Sequence, residues 1–134
     1  KLAYTEEDLK TFLMPLVDAG IDMFHASNRR YWEPEFEGSN LNLAGWTKKL
    51  TGLPTITVGS VGLKSDFIGL YAGEDAVESQ SIDDLVKRME ADEFDMVAIG
   101  RALLSDPEWV KKVKAGDFEE IIPFEKKYAR EVYF

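Results

Sequence analysis

Apolar and polar positions alternate along this chain in two rhythms, one of helical spacing and one of short, nearly continuous runs. Leu9, Phe12, Leu13, Leu16 and Val17 recur at helical spacing and predict one apolar stripe on a helix within residues 1–20. Thr5 followed by Glu6, Glu7 and Asp8 supplies a hydroxyl cap and acidic residues for the positive first turn. Pro15 should kink that helix or loosen its last turns, and Gly20 is a stop signal. Residues 21–27, Ile-Asp-Met-Phe-His-Ala-Ser, read as a mostly buried strand, and residues 28–40 as a polar and aromatic loop. Leu41 to Leu50 is a short helix closed by Thr51-Gly52, and residues 54–60 form a second strand opened by Pro54. Lys64 to Gln80 reads as irregular or partly helical. Ser81-Ile82-Asp83-Asp84 resembles a capped helix start, with Ile82, Leu85, Val86 and Met89 as its apolar face. Residues 94–101 make a third strand, followed by a short helical turn carrying Ala102, Leu103 and Leu104. Ser105-Asp106-Pro107 opens a further helix, with Pro107 at its first position, Trp109, Val110 and Val113 on its apolar face, and Gly116 at its end. Residues 117–134 are a tail centred on Ile121-Ile122-Pro123-Phe124.

Strands alternating with helices imply parallel strands joined by helical crossovers, hence an α/β fold with about three parallel strands and flanking helices. Three such strands leave two unpaired edges, which invite self-association. The pattern fits either a small open α/β domain or an arc of a closed barrel. A complete (β/α)8 barrel takes roughly 250 residues, so a 134-residue chain is about half of one. The chain starts at Lys1 with no initiator methionine and no signal-peptide pattern, which reads as a piece of something longer or a processed product.

Composition narrows the classes further. With no cysteine, disulfides and thiolate metal sites are excluded. No apolar run approaches the ~20 residues that span a bilayer, so no membrane partner is expected. A net charge of −9 opposes binding to nucleic acid and fits a soluble, cytoplasmic protein. A small phosphate can still bind, because backbone N–H groups act locally.

Two strand ends share a design that suits such a ligand. Val58-Gly59-Ser60 and Ile99-Gly100-Arg101 each put a glycine at the carboxyl end of a strand, where backbone N–H groups can approach an anion closely. Gly100 leads into a helix start whose dipole favours an anion, and Arg101 can add a charge-assisted hydrogen bond. In (β/α)8 barrels the loops after the last two strands are a frequent phosphate site. The structural alternative is that each glycine only permits a tight turn.

These segments resemble the Old Yellow Enzyme (NADH:flavin oxidoreductase) family. Residues 54–62, Pro-Thr-Ile-Thr-Val-Gly-Ser-Val-Gly, are similar to that family's seventh strand and phosphate loop. Residues 94–101, with Leu104-Ser105-Asp106-Pro107 following, resemble its eighth strand and its "GR…L…DP" signature. Residues 20–27 are similar to its sixth strand, and residues 116–124 to the end of such a chain. The resemblance implies a partial TIM barrel, strands six to eight, as the C-terminal segment of a flavin oxidoreductase domain. It implies FMN held through its phosphate by Gly59, Ser60, Gly100 and Arg101, NAD(P)H as reductant, and a small-molecule acceptor such as an α,β-unsaturated carbonyl compound. The family's histidine pair, or histidine and asparagine, lies on earlier strands, and this chain has one histidine, His25. No catalytic residue is therefore assigned, and the isolated chain is expected to be inactive and to hold FMN weakly or not at all.

Other candidates carry bland alternatives. His25, on an apolar strand, reads as a structural residue with no role assigned. Arg29-Arg30 could face a ligand or pair with Glu33, Glu35 and Glu37. Tyr31, Trp32 and Phe36 could line a mouth or pack on one another. Asp83-Asp84 and Glu90 to Glu93 are caps and solvated faces rather than metal ligands. The rival to an enzyme fragment is a small, non-catalytic phosphate-ligand module that self-associates.

Overall fold

The computed structural model describes residues 3–64, 76–77 and 80–130. In chain order its elements are α1 (Glu6–Asp18), β1 (Phe24–Ser27), α2 (Leu43–Thr51), β2 (Thr55–Val58), β3 (Ala76–Val77), α3 (Asp83–Glu90), β4 (Met96–Val97), α4 (Arg101–Ser105), α5 (Trp109–Ala115), a 3-10 turn (Phe118–Glu120), β5 (Phe124–Glu125) and α6 (Lys126–Arg130). The chain forms two compact units, Lys1–Gly59 with Asp83–Ala98, and Ser60–Ile82 with Ile99–Phe134.

The first unit is an α/β layer built on a parallel sheet of order β1-β2-β4. Helix α1 starts where the sequence predicts it: Thr5 Oγ1 accepts the Asp8 N–H, and the Asp8 carboxylate accepts the Thr5 N–H, a reciprocal capping box. The helix runs on through Pro15 to Asp18. At its end the Gly20 N–H reaches the Val17 carbonyl and the Ile21 N–H reaches the Leu16 carbonyl, with Gly20 at φ +89°, the paired closure that a left-handed glycine allows. Helix α2 has Asn42 as its N-cap and Gly52, left-handed, as its C-cap.

Register sets which side chains share a face. Phe24 pairs Thr55 and Ala26 pairs Thr57, and all four are buried on the side that α2 covers. Leu9, Leu13, Phe24 and Trp46 are the centre of that core, each buried aliphatic or phenyl side chain contributing about 1.5–3 kcal/mol. His25, Ser27 and Met96 lie on the opposite face and are exposed, while Ile56 and Val58 are half-buried. The first strand is thus alternating rather than mostly buried, and it occupies Phe24–Ser27 of the expected 21–27; Ile21 and Met23 are exposed coil. The third strand is shorter than the expected 94–101, although the Asp95 N–H to Thr55 carbonyl and Ala98 N–H to Thr57 carbonyl bonds extend its pairing past Met96–Val97.

Several expected apolar faces are only partly covered. Phe12 is 45% exposed and Leu16, Val86 and Met89 are exposed too, whereas Leu9, Leu13 and Leu85 are buried. Helical spacing fixes which side chains share a side; burial also needs an element on that side. In the second unit Trp109 is buried but Val110 is 53% exposed for the same reason. Pro107 lies in the turn before α5 rather than at its first position, because the Trp109 N–H closes first onto the Asp106 carbonyl. Residues 117–130 are more than a tail. They carry the 3-10 turn, α6, and β5, which pairs antiparallel with β3. Most of the span from Lys64 to Gln80, expected to be irregular or partly helical, lies outside the described residues.

Candidate functional site

The second unit brings three of the four expected ligand residues together. After β2 the chain turns through Ser60, at φ +53°, whose carbonyl accepts the Leu63 N–H at 3.0 Å. Gly62, at φ +70°, presses on the Trp109 ring so closely that a Cβ there would lie 2.9 Å from it. Only glycine fits between this turn and the buried indole, so Trp109 seats the Ser60 turn. On the other side Gly100 precedes α4, whose first internal bond runs from the Leu103 N–H to the Gly100 carbonyl at 2.9 Å. The two segments meet where Arg101 Nη2 donates to Ser60 Oγ at 3.2 Å. A Cβ on Gly100 would meet nothing within 4 Å, so the backbone there is open to close approach. Helix α4 has five residues, too short for the dipole expected at its start. Affinity for an anion would come from the guanidinium, the hydroxyl and local backbone amides.

Gly59 belongs to the first unit and answers to it. Its carbonyl accepts the Tyr31 N–H at 3.1 Å. Its φ is +135°, and a Cβ there would sit 2.7 Å from the Asn28 carbonyl oxygen. The tight packing of two backbones therefore requires this glycine with or without a ligand.

The remaining candidates sort by partner. His25 lies exposed at the edge of a cavity of about 390 Å³ in the first unit, lined mainly by Leu9, Leu13, Phe24 and Ala26 with Ser27 and Glu35. Arg30 pairs with Glu33 at 2.6 Å, a surface ion pair worth about 0–1 kcal/mol. The aromatic loop packs on its own unit: Tyr31 meets Trp32 edge-on at 5.1 Å, and Phe36 meets Trp46 at 5.4 Å. Burial, then the negative charge of Asp84, pushes the Tyr31 hydroxyl above its ordinary value. Among the described residues no group of three acidic or histidine side chains could hold a metal ion.

Four residues hold partners that the sequence pattern does not indicate. Asn42 is fully buried and bonds three ways, to the Tyr31 carbonyl at 2.7 Å, Thr57 Oγ1 at 3.1 Å and the Gly45 N–H at 2.8 Å. It thereby fixes the loop after β1 to β2. Its cap signal was legible, but the helix expected from Leu41 hid it. Arg88, among the apolar positions of α3, reaches Asp84, Glu93 and the Asn40 carbonyl. Burial lowers and its acidic neighbours more than restore its value, which ends above the ordinary one. Asp106 is 1% exposed and accepts from Lys112 Nζ, the Ile122 N–H and the Glu108 N–H. Burial alone would raise its carboxyl, yet Lys112 and then Ile122 hold it below the usual range. The fourth is Phe124, whose ring lies 5.8 Å from the Arg101 guanidinium carbon.

Parallel-sheet topology defines an α/β protein, and within its second unit a hydroxyl–guanidinium pair lies beside an open glycine. The chain is 33% identical over 125 residues to a protein named NADH oxidase from Thermoanaerobacter brockii, an alignment covering 87% of this chain and 16% of that relative. No family model matches the chain. Among the described residues no helix is long and apolar enough to cross a membrane.

Proposed function

We propose that this chain is the FMN-phosphate-binding portion of an FMN-dependent NAD(P)H oxidoreductase of ene-reductase type. The 3.2 Å contact between Arg101 Nη2 and Ser60 Oγ carries the proposal, since it joins the two segments that would have to grip one phosphate. The likeness to an NADH oxidase supports the oxidoreductase class. Arg101 would donate charge-assisted hydrogen bonds to phosphate oxygens, Ser60 would add its hydroxyl, and Gly100 would let a phosphate oxygen reach the backbone. Gly59 contributes by holding the turn that delivers Ser60. FMN, when bound, supplies hydride transfer from NAD(P)H to an acceptor such as an α,β-unsaturated carbonyl compound.

The chain's part is binding and orientation. The family's substrate-anchoring pair and its flavin-ring contacts lie on strands earlier than those this chain resembles, so the isolated chain is inactive and holds FMN weakly or not at all. The edges of its β1-β2-β4 sheet favour self-association. Titration of flavin fluorescence with the purified chain tests the proposal. FMN should bind more tightly than riboflavin, which lacks the phosphate, and Arg101→Met should abolish the difference, a loss of about 10–100-fold for one charge-assisted hydrogen bond. Equal measurable affinity for the two flavins, or an undiminished preference for FMN in Arg101→Met, contradicts it.

A further inference from the structure

We propose that Phe124 is a positioning residue for the anion grip, holding the Arg101 guanidinium against Ser60, and that Ser105 and Asp106 set Phe124 in place through Ile122. The inference rests on the phosphate-binding role given above to Ser60, Gly100 and Arg101.

Arginine has a long, freely rotating side chain, and fixing it at one point costs conformational entropy. A phenyl face removes much of that freedom: the flat guanidinium lies over the ring and keeps its N–H edge for hydrogen bonds. In Arg101 the guanidinium carbon lies 5.8 Å from the Phe124 ring centroid, within the ~6 Å reach of a cation–π attraction, while Nη2 lies 3.2 Å from Ser60 Oγ. Phe124 is 1% exposed, so the ring is itself a fixed object.

What fixes the ring is the corner after α4. The Ile122 N–H donates to Asp106 Oδ2 at 3.0 Å, and Ser105 Oγ lies 3.1 Å from both the Ile122 and Ala102 carbonyl oxygens, its one proton serving either. Lys112 Nζ bridges Asp106 Oδ2, at 2.7 Å, and the Glu120 carbonyl, at 2.8 Å. Residues 120 and 122 are thereby tied to the far end of the helix whose first residue is Arg101. Beyond them β5 pairs with β3 through Val77 and Phe124. One five-residue helix thus delivers the guanidinium from its first turn and grips, from its last, the segment that carries the supporting ring. Such pre-organisation favours binding by lowering the ordering cost of the bound state.

Titrating the ¹⁵N-labelled full chain with inorganic phosphate, followed by NMR, tests this directly. Phe124→Leu should weaken phosphate binding about two- to fivefold, and Phe124→Tyr, which keeps the ring face, should retain wild-type affinity. In an Arg101→Met background Phe124→Leu should add nothing. The Arg101 Nε–H signal of the unsubstituted chain should carry a ring-current shift that Asp106→Asn diminishes. Unchanged affinity in a folded Phe124→Leu chain, or an Arg101 signal without that shift, overturns the role of Phe124 and leaves the phosphate site standing if Arg101→Met still loses affinity. Wild-type affinity in Arg101→Met, or no phosphate binding by the unsubstituted chain, overturns the phosphate site itself.

Discussion

Replacing Gly59 and Gly100 by alanine, one at a time, separates a glycine required by packing from a glycine left open for a ligand. At position 59 a Cβ would lie 2.7 Å from the Asn28 carbonyl oxygen and 3.0 Å from the Arg29 carbonyl carbon, both backbone atoms that cannot swing aside. The φ of +135° is a region that L-residues occupy at a cost of about 1–3 kcal/mol. Relieving the clash by moving backbone adds about 1–3 kcal/mol. Gly59→Ala should therefore lose about 2–6 kcal/mol, a large part of the ~5–15 kcal/mol that stabilises a typical domain. In urea, with a slope of about 2 kcal/mol/M, the midpoint should fall by about 1–3 M with the slope unchanged. Gly100→Ala meets nothing within 4 Å and has no positive φ, so it should lose clearly less stability than Gly59→Ala. Its methyl group would instead occupy the space a phosphate oxygen needs, lowering phosphate affinity about tenfold, the worth of one hydrogen bond. Equal urea midpoints for the two variants would refute the packing argument at Gly59. Undiminished phosphate affinity in Gly100→Ala would refute the ligand argument at Gly100.

Asn42→Ala removes a helix cap and strands the buried Tyr31 carbonyl, so it should lose about 2–4 kcal/mol in urea unfolding, with the near-ultraviolet signal of the Tyr31–Trp32 pair weakened. Asp95 and Asp106 both titrate below the ordinary carboxyl value of 3.8 in the folded chain, Asp95 chiefly because Lys48 and then the Thr55 amide bond it. Depressed folded values add stability that is present above the unfolded value and lost as pH falls through the folded one. The urea midpoint should thus hold from neutrality to about pH 5 and drop below about pH 4, less steeply in Asp106→Asn, and an equal acid slope in that variant would show the carboxylate is not the cause.

What the sequence made legible was local chemistry. Thr5, Gly20, Gly52 and Gly116 mark helix ends that the hydrogen bonds bear out, because caps depend on a few neighbouring residues. That the chain holds three parallel strands followed from their alternation with helices. Non-local facts were hidden. Val86 and Met89 share a helical face with Leu85 yet are exposed, while Arg88 draws its partners from as far away as Trp32. Phe124 passed for tail because its significance lies in Arg101, 23 positions earlier in the chain. The glycine-turn pattern pointed to both strand ends, but only geometry separates Gly59, crowded by backbone, from Gly100, open beside Arg101.

Amide-resolved NMR of the unliganded chain during addition of inorganic phosphate asks most directly where an anion settles. The largest saturable shifts should fall on Ser60, Gly100 and Arg101 and disappear in Arg101→Met. Shifts centred elsewhere, for instance on the N-terminal turn of α1 or around Lys49, with those three amides unmoved, would contradict it.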